Sequence, residues 1–362
     1  MSNHKKLTNQ KSGFKRHFLS LKLFIQASGL ILMITGAAFI IATGCKSNSN
    51  EVTVYCTVDQ VFSQPVLNDF ERETGIKVNA VYDTEETKST GVMNRLIAEK
   101  NNPRCDLFWS GDPLRNGILQ TKGITEPYQS EQTRLIPDYF KEKNNHWIGF
   151  SARARVLIYN KTLIASDSLP GSVFDLTDTR FRGRFAIANP LFGTTTFHMA
   201  ALFVTLGDEK AKQWMNDIKT NSAVVATSNG DVKKRVMNGE LAFGLTDTDD
   251  AFEAKKESNE VDYIFLDKEE NGIGTLIMPN ALSLIKGSPH SENGEKLMNY
   301  LLTQETEAKL AKSCAQMPLI KGTEVPDNLT SLDNIKPMSI DYKETSDKLE
   351  KIQPWLKTWA EE

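Results

Sequence analysis

The stretch EVTVYCTVDQVFSQPVLNDFERETGIKVNAVY, residues 51–82, decides the fold. Its β-branched and aromatic residues at 52–55 predict a strand, and an apolar face at helical spacing from Ser63 onward predicts a helix. Gly75 is expected to end that helix, and residues 76–82 supply a second strand. Strand, helix and strand within roughly thirty residues form a βαβ unit. The stretch therefore predicts a parallel sheet.

The same alternation continues along the chain. Further strands are predicted at residues 106–109, 155–159, 185–188, 223–226 and 241–245, with helices at 92–100 and 199–206. Residues 275–285 are interpreted as a late pair of strands that returns to the first sheet. We therefore expect an α/β protein, and open parallel sheets bind ligands beyond the carboxyl ends of their strands. Candidate site residues are sought in the loops that follow strands.

The first fifty residues are typical of an export signal. Residues 1–44 contain six Lys or Arg residues and no Asp or Glu, and the stretch 23–42 is uncharged. Residues 42–45, Ala-Thr-Gly-Cys, are similar to a bacterial lipobox. We predict a signal peptide at 1–44, a lipid on Cys45 and a short tether at 45–50. The alternative is an uncleaved membrane anchor, because about 20 apolar residues can span a bilayer.

Charge and cysteine content exclude several classes of function. Removing the six basic residues of the signal from the 43 in the chain leaves 37 against 46 acidic residues, a net charge of −9. An acidic body repels phosphate backbones, so no nucleic-acid partner is expected. Cys56, Cys105 and Cys314 have no metal-ligand spacing and are odd in number, which predicts small buried side chains.

A set of ordered motifs resembles the ferric-ion type of extracellular solute-binding protein. The motifs are VTVY at 52–55, FERETGIKV at 70–78, CDLFW at 105–109, SARARV at 151–156, NGE at 238–240 and MPL at 317–319. The resemblance covers roughly residues 51–322. It implies a type II periplasmic-binding-protein fold with two α/β lobes joined by crossover strands, with hinges near Arg153 and Thr275. It also implies an ABC transporter permease as partner and a monomer that is not an enzyme.

This resemblance divides the chain into segments. The first lobe is expected at residues 51–152 plus 275–320, and the second lobe at 153–274. Residues 321–362 are expected to form a helical segment that packs on a lobe.

The main candidate site follows the predicted strand at 241–245. There the chain continues as Thr-Asp-Thr-Asp-Asp, which places Asp247, Asp249 and Asp250 at a strand's carboxyl end. Iron-binding relatives usually carry a Tyr pair where this chain has Asp249 and Asp250. Carboxylates remain ligands for a hard cation. The alternative is a solvated acidic turn that caps the next helix.

Two acids of the first lobe are further candidates. Asp59 follows the first strand, where some iron-binding relatives have a His, and Asp112 follows the strand at 106–109, near their Glu. The predicted metal-ligand set is therefore Asp59, Asp112, Asp249 and Asp250. A surface acid is the alternative for each of the first two.

A second group of residues favours an anion. Thr194 and Thr195 follow Gly193 at a helix start, where free N–H groups and the helix dipole attract negative charge. In the family this stretch and Asn229 resemble the pocket for a synergistic anion. Arg153 and Arg155 are interpreted as facing opposite sides of a strand, with Arg153 entering the cleft. His198 is expected in the core or at its rim.

We therefore expect the binding component of an importer, located in the periplasm or at the cell surface and anchored to a membrane by lipid. Its ligand is ferric iron, or an iron chelate, with a synergistic anion; no cofactor is expected beyond Fe(III) as transported ligand. The alternative is an oxyanion such as phosphate or a phosphonate. A remote alternative is a magnesium-dependent phosphatase that uses Asp247 as nucleophile and Asp249 as acid-base group.

Overall fold

A computed structural model describes residues 50–83, 90–327 and 329–361. The predicted signal peptide, most of the tether and Cys45 lie outside the described residues. Within the described part of the chain, no helix combines the length and apolar character needed to cross a membrane.

The described residues form an α/β fold. The strands are β1 Glu51–Cys56, β2 Lys77–Tyr82, β3 Leu107–Ser110, β4 Thr125–Glu126, β5 Ile148–Asn160, β6 Phe185–Ala188, β7 Val224–Ala226, β8 Phe243–Asp247, β9 Val261–Ile264 and β10 Ile277–Ile285. The α-helices are α1 Gln60–Thr74, α2 Thr90–Ala98, α3 Pro113–Thr121, α4 Glu131–Leu135, α5 Gly193–Leu206, α6 Asp208–Thr220, α7 Asn229–Met237, α8 Thr248–Glu257, α9 Ser291–Leu301, α10 Gln304–Cys314 and α11 Tyr342–Glu361.

The predicted βαβ unit is confirmed. Strand β1 pairs in parallel with β2 on one side and with β3 on the other. Helix α1 buries Val66, Leu67 and Phe70. It ends at Gly75, whose φ of 69° is left-handed and whose N–H donates to the Glu71 carbonyl. Glycine adopts this conformation at little cost, which explains why the helix stops there.

The strand order is β2-β1-β3-β10-β5-β8-β6-β7, with β4 on β10 and β9 on β5. Strand β5 belongs to two sheets: residues 148–154 pair with β10, whereas 155–160 pair with β8 and β9. The chain therefore passes from the first sheet to the second within one strand. The expected strand pair at 275–285 is wrong. This stretch is one buried strand, β10, because no turn interrupts its nine apolar and small residues.

Helices cover both faces of each sheet. One apolar core lies between the first sheet and α1, α9 and α10, and another lies between the second sheet and α7 and α8. Cys56, Cys105 and Cys314 are buried, as expected.

Helix α11 packs against both α3 and α5, which belong to different sheets. Tyr342 at its start contacts the rings of Trp147 and Phe197. The C-terminal segment is expected to pack on a lobe, and α11 packs on helices that flank both sheets, because its apolar stripe is long enough to cover two neighbouring helices.

Candidate functional site

A cavity of about 60 Å³ lies where strands of both sheets end. Five loops form its wall, and each follows the carboxyl end of a strand: β1, β3, β6, β7 or β8. The nine candidate ligand residues all line it: Asp59, Asp112, Arg153, Thr194, Thr195, Asn229, Asp247, Asp249 and Asp250. A volume of this size suits a small ion with a few water molecules.

Both carboxylate oxygens of Asp247 accept hydrogen bonds at the cavity. Its Oδ1 accepts a hydrogen bond from Arg155 Nη1 at 2.6 Å. Its Oδ2 accepts from Thr194 Oγ1 at 2.6 Å and from Asn229 Nδ2 at 3.1 Å. Burial alone would raise the pKa of Asp247, but the charges of Arg155 and Arg153 and the hydrogen bonds outweigh burial and hold that pKa below its ordinary value. Asp247 is therefore a buried carboxylate that stays ionised.

Arg153 and Arg155 meet at the same carboxylate, so the expectation of opposite faces is wrong. Residues two apart in a strand share a face. In the β5–β8 pairing, Arg155 lies directly opposite Asp247. Arg153 Nη1 lies 3.6 Å from Asp247 Oδ2 and 3.5 Å from Asp249 Oδ2. Its Nη2 also donates to the Gly111 carbonyl in the loop after β3. Arg153 therefore joins groups that the two sheets contribute.

The negative charge of ionised Asp249 and Asp250 is compensated only in part by the protein. Burial raises the pKa of Asp249 to about 6, against the attraction of Arg153, and burial together with Asp249 and Asp247 raises the pKa of Asp250 to about 8. Lys233 Nζ lies 4.0 Å from Asp250, and its positive charge partly offsets the rise in the pKa of Asp250. One ligand oxygen from each of Asp247, Asp249 and Asp250 lies within 4.8 Å of the others. A cation among them would relieve their mutual repulsion.

The two first-lobe acids differ from each other. Asp112 is 1% exposed, caps α3 by accepting from the Leu114 N–H, and pairs with Arg115 Nη1 at 2.9 Å. Asp59 begins α1 without a side-chain cap hydrogen bond, and its charge contributes to the raised pKa of Asp249 and Asp250. The close triad of acids thus includes Asp247, which the sequence-based metal set omits, whereas Asp112 is held by its own helix.

Two helix N-termini face the cavity. Helix α5 begins at Gly193, and α7 begins at Asn229 behind the cap residue Ser228. Thr194 Oγ1 donates a hydrogen bond to Asp247 Oδ2, and Thr195 Oγ1 donates to Asn229 Oδ1 at 3.3 Å. The side chains expected to bind a free anion therefore mostly bind protein groups.

Sequence reasoning missed several groups at the cavity. Thr57, Ser228 and Gly230 also line it, and the rule that ligands lie beyond strand ends could have found them. Arg115 was not singled out from the sequence; it does not line the cavity, but its Nη1 lies 3.4 Å from the carbonyl of Gly193, which does.

His198 lies in the core, as expected. It is 2% exposed, and burial together with the charge of Arg155 lowers its pKa to about 3. A neutral histidine at this position is a packing residue.

Two sheets joined through strand β5, with a polar cavity at their strand ends, define a two-lobed solute-binding protein of type II. The chain belongs to the family described as bacterial extracellular solute-binding protein, whose profile matches residues 66–337. The family's role is solute binding in transport, so the phosphatase alternative is excluded.

Curated relatives carry two kinds of name. "Iron uptake protein A1" of Synechocystis sp. is 24% identical over 93% of this chain and 95% of that protein. "Putative 2-aminoethylphosphonate-binding periplasmic protein" of Salmonella typhimurium is 25% identical over 89% of this chain and 91% of that protein.

Solved structures share the fold. Iron-bound HitA from Pseudomonas aeruginosa superposes with a TM-score of 0.77 at 22% identity and covers 84% of this chain and 99% of its own. Trichodesmium IdiA (FutA), in complex with iron and citrate, gives a TM-score of 0.72 at 21% identity over 85% of this chain and 99% of its own. The predicted family and fold class are confirmed.

Proposed function

We propose that this protein captures ferric iron in the cavity between its lobes and delivers it to an ABC importer. The observation that carries the proposal is the triad of Asp247, Asp249 and Asp250, whose ligand oxygens lie within 4.8 Å of one another. Carboxylate oxygens are hard ligands that suit a hard cation. The raised pKa values of Asp249 and Asp250 mark a place where positive charge is missing.

The ligand set would differ from a phenolate site. No Tyr is among the described residues that line the cavity. The carboxylates of Asp59, Asp249 and Asp250 take that place in our proposal, and names of relatives such as "Iron uptake protein A1" support the choice of metal.

Capture would depend on closure of the two lobes, which we place at residues 51–152 plus 275–320 and at 153–274. Arg153 binds the Gly111 carbonyl, and Arg115 approaches the Gly193 carbonyl, so each arginine would join a segment of one proposed lobe to a segment of the other. A cation that binds acids of both lobes favours the closed population.

An oxyanion such as phosphate or a phosphonate is the second candidate. The N-termini of α5 and α7 both point at the cavity and could offer backbone N–H groups at Gly193 and Gly230. The Salmonella relative named for 2-aminoethylphosphonate supports this alternative.

Calorimetry of the chain from residue 50 onward separates the two candidates. Ferric citrate, phosphate and 2-aminoethylphosphonate are titrated in turn, with metal-free citrate as the matched control. We expect saturable heat from ferric citrate alone. Heat from phosphate or the phosphonate, with none from the ferric complex, would show that the ligand is an oxyanion and not iron.

The cellular setting is part of the proposal. We propose a monomer that a diacylglycerol on Cys45 tethers to the membrane, where an ABC permease receives the ligand. Mass spectrometry of membrane-extracted protein tests the anchor: an intact segment 1–44 would contradict it.

A further inference from the structure

The groups around the Asp247 carboxylate are those of an anion-binding site. A buried guanidinium (Arg155), a hydroxyl in the first turn of α5 (Thr194) and a side-chain amide in the first turn of α7 (Asn229) all donate to it. A helix N-terminus combined with an arginine fork is a general solution for binding carboxylate or phosphate.

The protein's own side chain fills this position. The three donor distances lie between 2.6 and 3.1 Å, and Asp247 is 1% exposed. Because the carboxylate is attached to the end of β8, it competes with any free anion at a high effective concentration. A free anion that entered would lie beside a buried negative charge, which costs energy unless that charge leaves.

The same carboxylate also faces the proposed cation position. One of its oxygens lies within 4.8 Å of ligand oxygens from Asp249 and Asp250. A single fixed group therefore stands between the anion-binding donors on one side and the acids on the other.

We propose that Asp247 is a built-in anion: it occupies the anion position at the α5 and α7 N-termini, so the protein binds its cation without a free synergistic anion and rejects phosphate. This inference deepens the proposed function and rests on it for the cation. Asp247 then acts as a specificity-determining residue, because it decides whether the cavity admits a free anion.

The first test uses the wild-type chain and needs no variant. The protein is incubated with ferric citrate and either 0 or 10 mM phosphate. It is then exchanged into a volatile buffer, and its mass is measured by native mass spectrometry. We expect a mass increase of one iron at both phosphate concentrations. The affinity for ferric citrate, measured by calorimetry, should change by less than about twofold when phosphate is added. A stoichiometric phosphate or citrate on the loaded protein would overturn the inference.

The second test removes the built-in anion. The change Asp247→Ala opens the position and removes the carboxylate that pairs with Arg155, so we expect a lower melting temperature that millimolar phosphate raises again. Phosphate should also bind this variant measurably by calorimetry and leave the wild type unaffected.

The control is Asp231→Ala. Asp231 is an acid in the first turn of α7, the helix that also carries Asn229, but it does not line the cavity, and it accepts hydrogen bonds from Thr227 and Arg235. We expect no phosphate binding in this variant. If Asp247→Ala is folded by circular dichroism and ignores phosphate, the inference fails.

The two proposals fail in different ways. A wild type that binds neither iron nor phosphate, with phosphate binding by Asp247→Ala, would end the iron proposal and keep the built-in anion. A wild type that binds iron only together with phosphate would keep the iron proposal and end the built-in anion.

Discussion

Two helix starts with acidic residues meet at the cavity, and they are chemically different. Asp112 begins α3, and its charge is balanced within its own helix by Arg115, three residues later, at 2.9 Å. Asp249 and Asp250 begin α8, and the cations nearest to them come from β5 and α7 at 3.5 Å and 4.0 Å. The first acid is satisfied by local structure, whereas the second pair depends on distant elements and remains short of positive charge.

The comparison teaches that an acid after a strand is a ligand candidate only if its own helix leaves it uncompensated. Side chains three residues apart lie on one helix face, so Arg115 reaches Asp112 without any tertiary arrangement. No basic residue follows Asp249 or Asp250 at that spacing, since positions 252 and 253 are Phe and Glu. Asp112 is therefore expected to hold the fold, and Asp249 and Asp250 to hold the ligand.

The largest expected effect is on stability. The change Asp112→Ala should lower the free energy of unfolding by about 3–5 kcal/mol, because it leaves the buried Arg115 unpaired. Urea unfolding measures the loss. The control Asp138→Ala removes an acid that is 99% exposed and paired with Lys141, and should change stability by less than about 0.5 kcal/mol. Equal losses of unfolding free energy in the two variants would show that Asp112 does not have this structural role.

The second prediction concerns binding. The double change Asp249→Asn and Asp250→Asn should weaken ferric binding at least 100-fold, about 2.7 kcal/mol, because two proposed ligands lose their charge. Stability should stay level or rise, since repulsion between buried acids disappears. Calorimetry with ferric citrate gives the affinity, and Asp231→Asn serves as the control. Unchanged affinity in the double variant would remove the cation from the proposal.

The third prediction is a pH dependence of the ligand-free protein. The pKa values of Asp249 and Asp250 are raised to about 6 and about 8, so the folded protein holds protons that the unfolded chain releases near pH 4. Stability is therefore greatest at low pH in this window and falls as the pH rises toward 8, by up to about 1.4 kcal/mol per pH unit for each such proton.

Urea unfolding from pH 5 to 8 measures this slope. Subtracting the curve of the Asp249→Asn, Asp250→Asn variant isolates the two acids, because every other titrating group is common to both proteins. Parallel curves for the two proteins would show that the pair does not titrate in this range.

The smallest expected effect tests α3 as a structural element. A Cβ on Gly117 would lie 2.6 Å from Ser346 Oγ of α11. Overpacking of this kind costs about 1–3 kcal/mol, of which better helix propensity returns up to about 1 kcal/mol. Gly117→Ala should therefore be slightly destabilised, and adding Ser346→Ala should restore stability. If Gly117→Ala costs as much stability in the Ser346→Ala background as it does in the wild type, the close packing of α11 on α3 is contradicted.

Residues near each other in sequence predicted the elements and the cavity wall. The pattern of residues 51–82 predicted β1, α1 and β2, and Gly75 ends α1 as expected. The candidate aspartates were found because they follow strands, and parallel strands bring such loops to one sheet edge. Thr194 and Thr195 were found at a helix start, and Asn229 came from the resemblance. Arg153 came from the resemblance and from its place on the strand that joins the lobes.

Partnerships between distant residues could not be predicted in this way. Arg155 meets Asp247 only because β5 and β8 pair in one register, and a slip of one residue would turn the arginine to the other face. Likewise Arg153 reaches Gly111, and α11 spans α3 and α5, through packing of segments far apart in the chain.

The sequence by itself determined the α/β fold, the family and the loops in which the site lies, because periodicity, turn residues and strand ends are local properties. Only the tertiary structure decided which carboxylate receives Arg155 and the first turns of α5 and α7, and which acids come close enough together to raise their pKa values. Those outcomes depend on burial and on charges brought within about 4 Å, where desolvation and Coulomb attraction are strong, and neither is written in the order of residues along the chain.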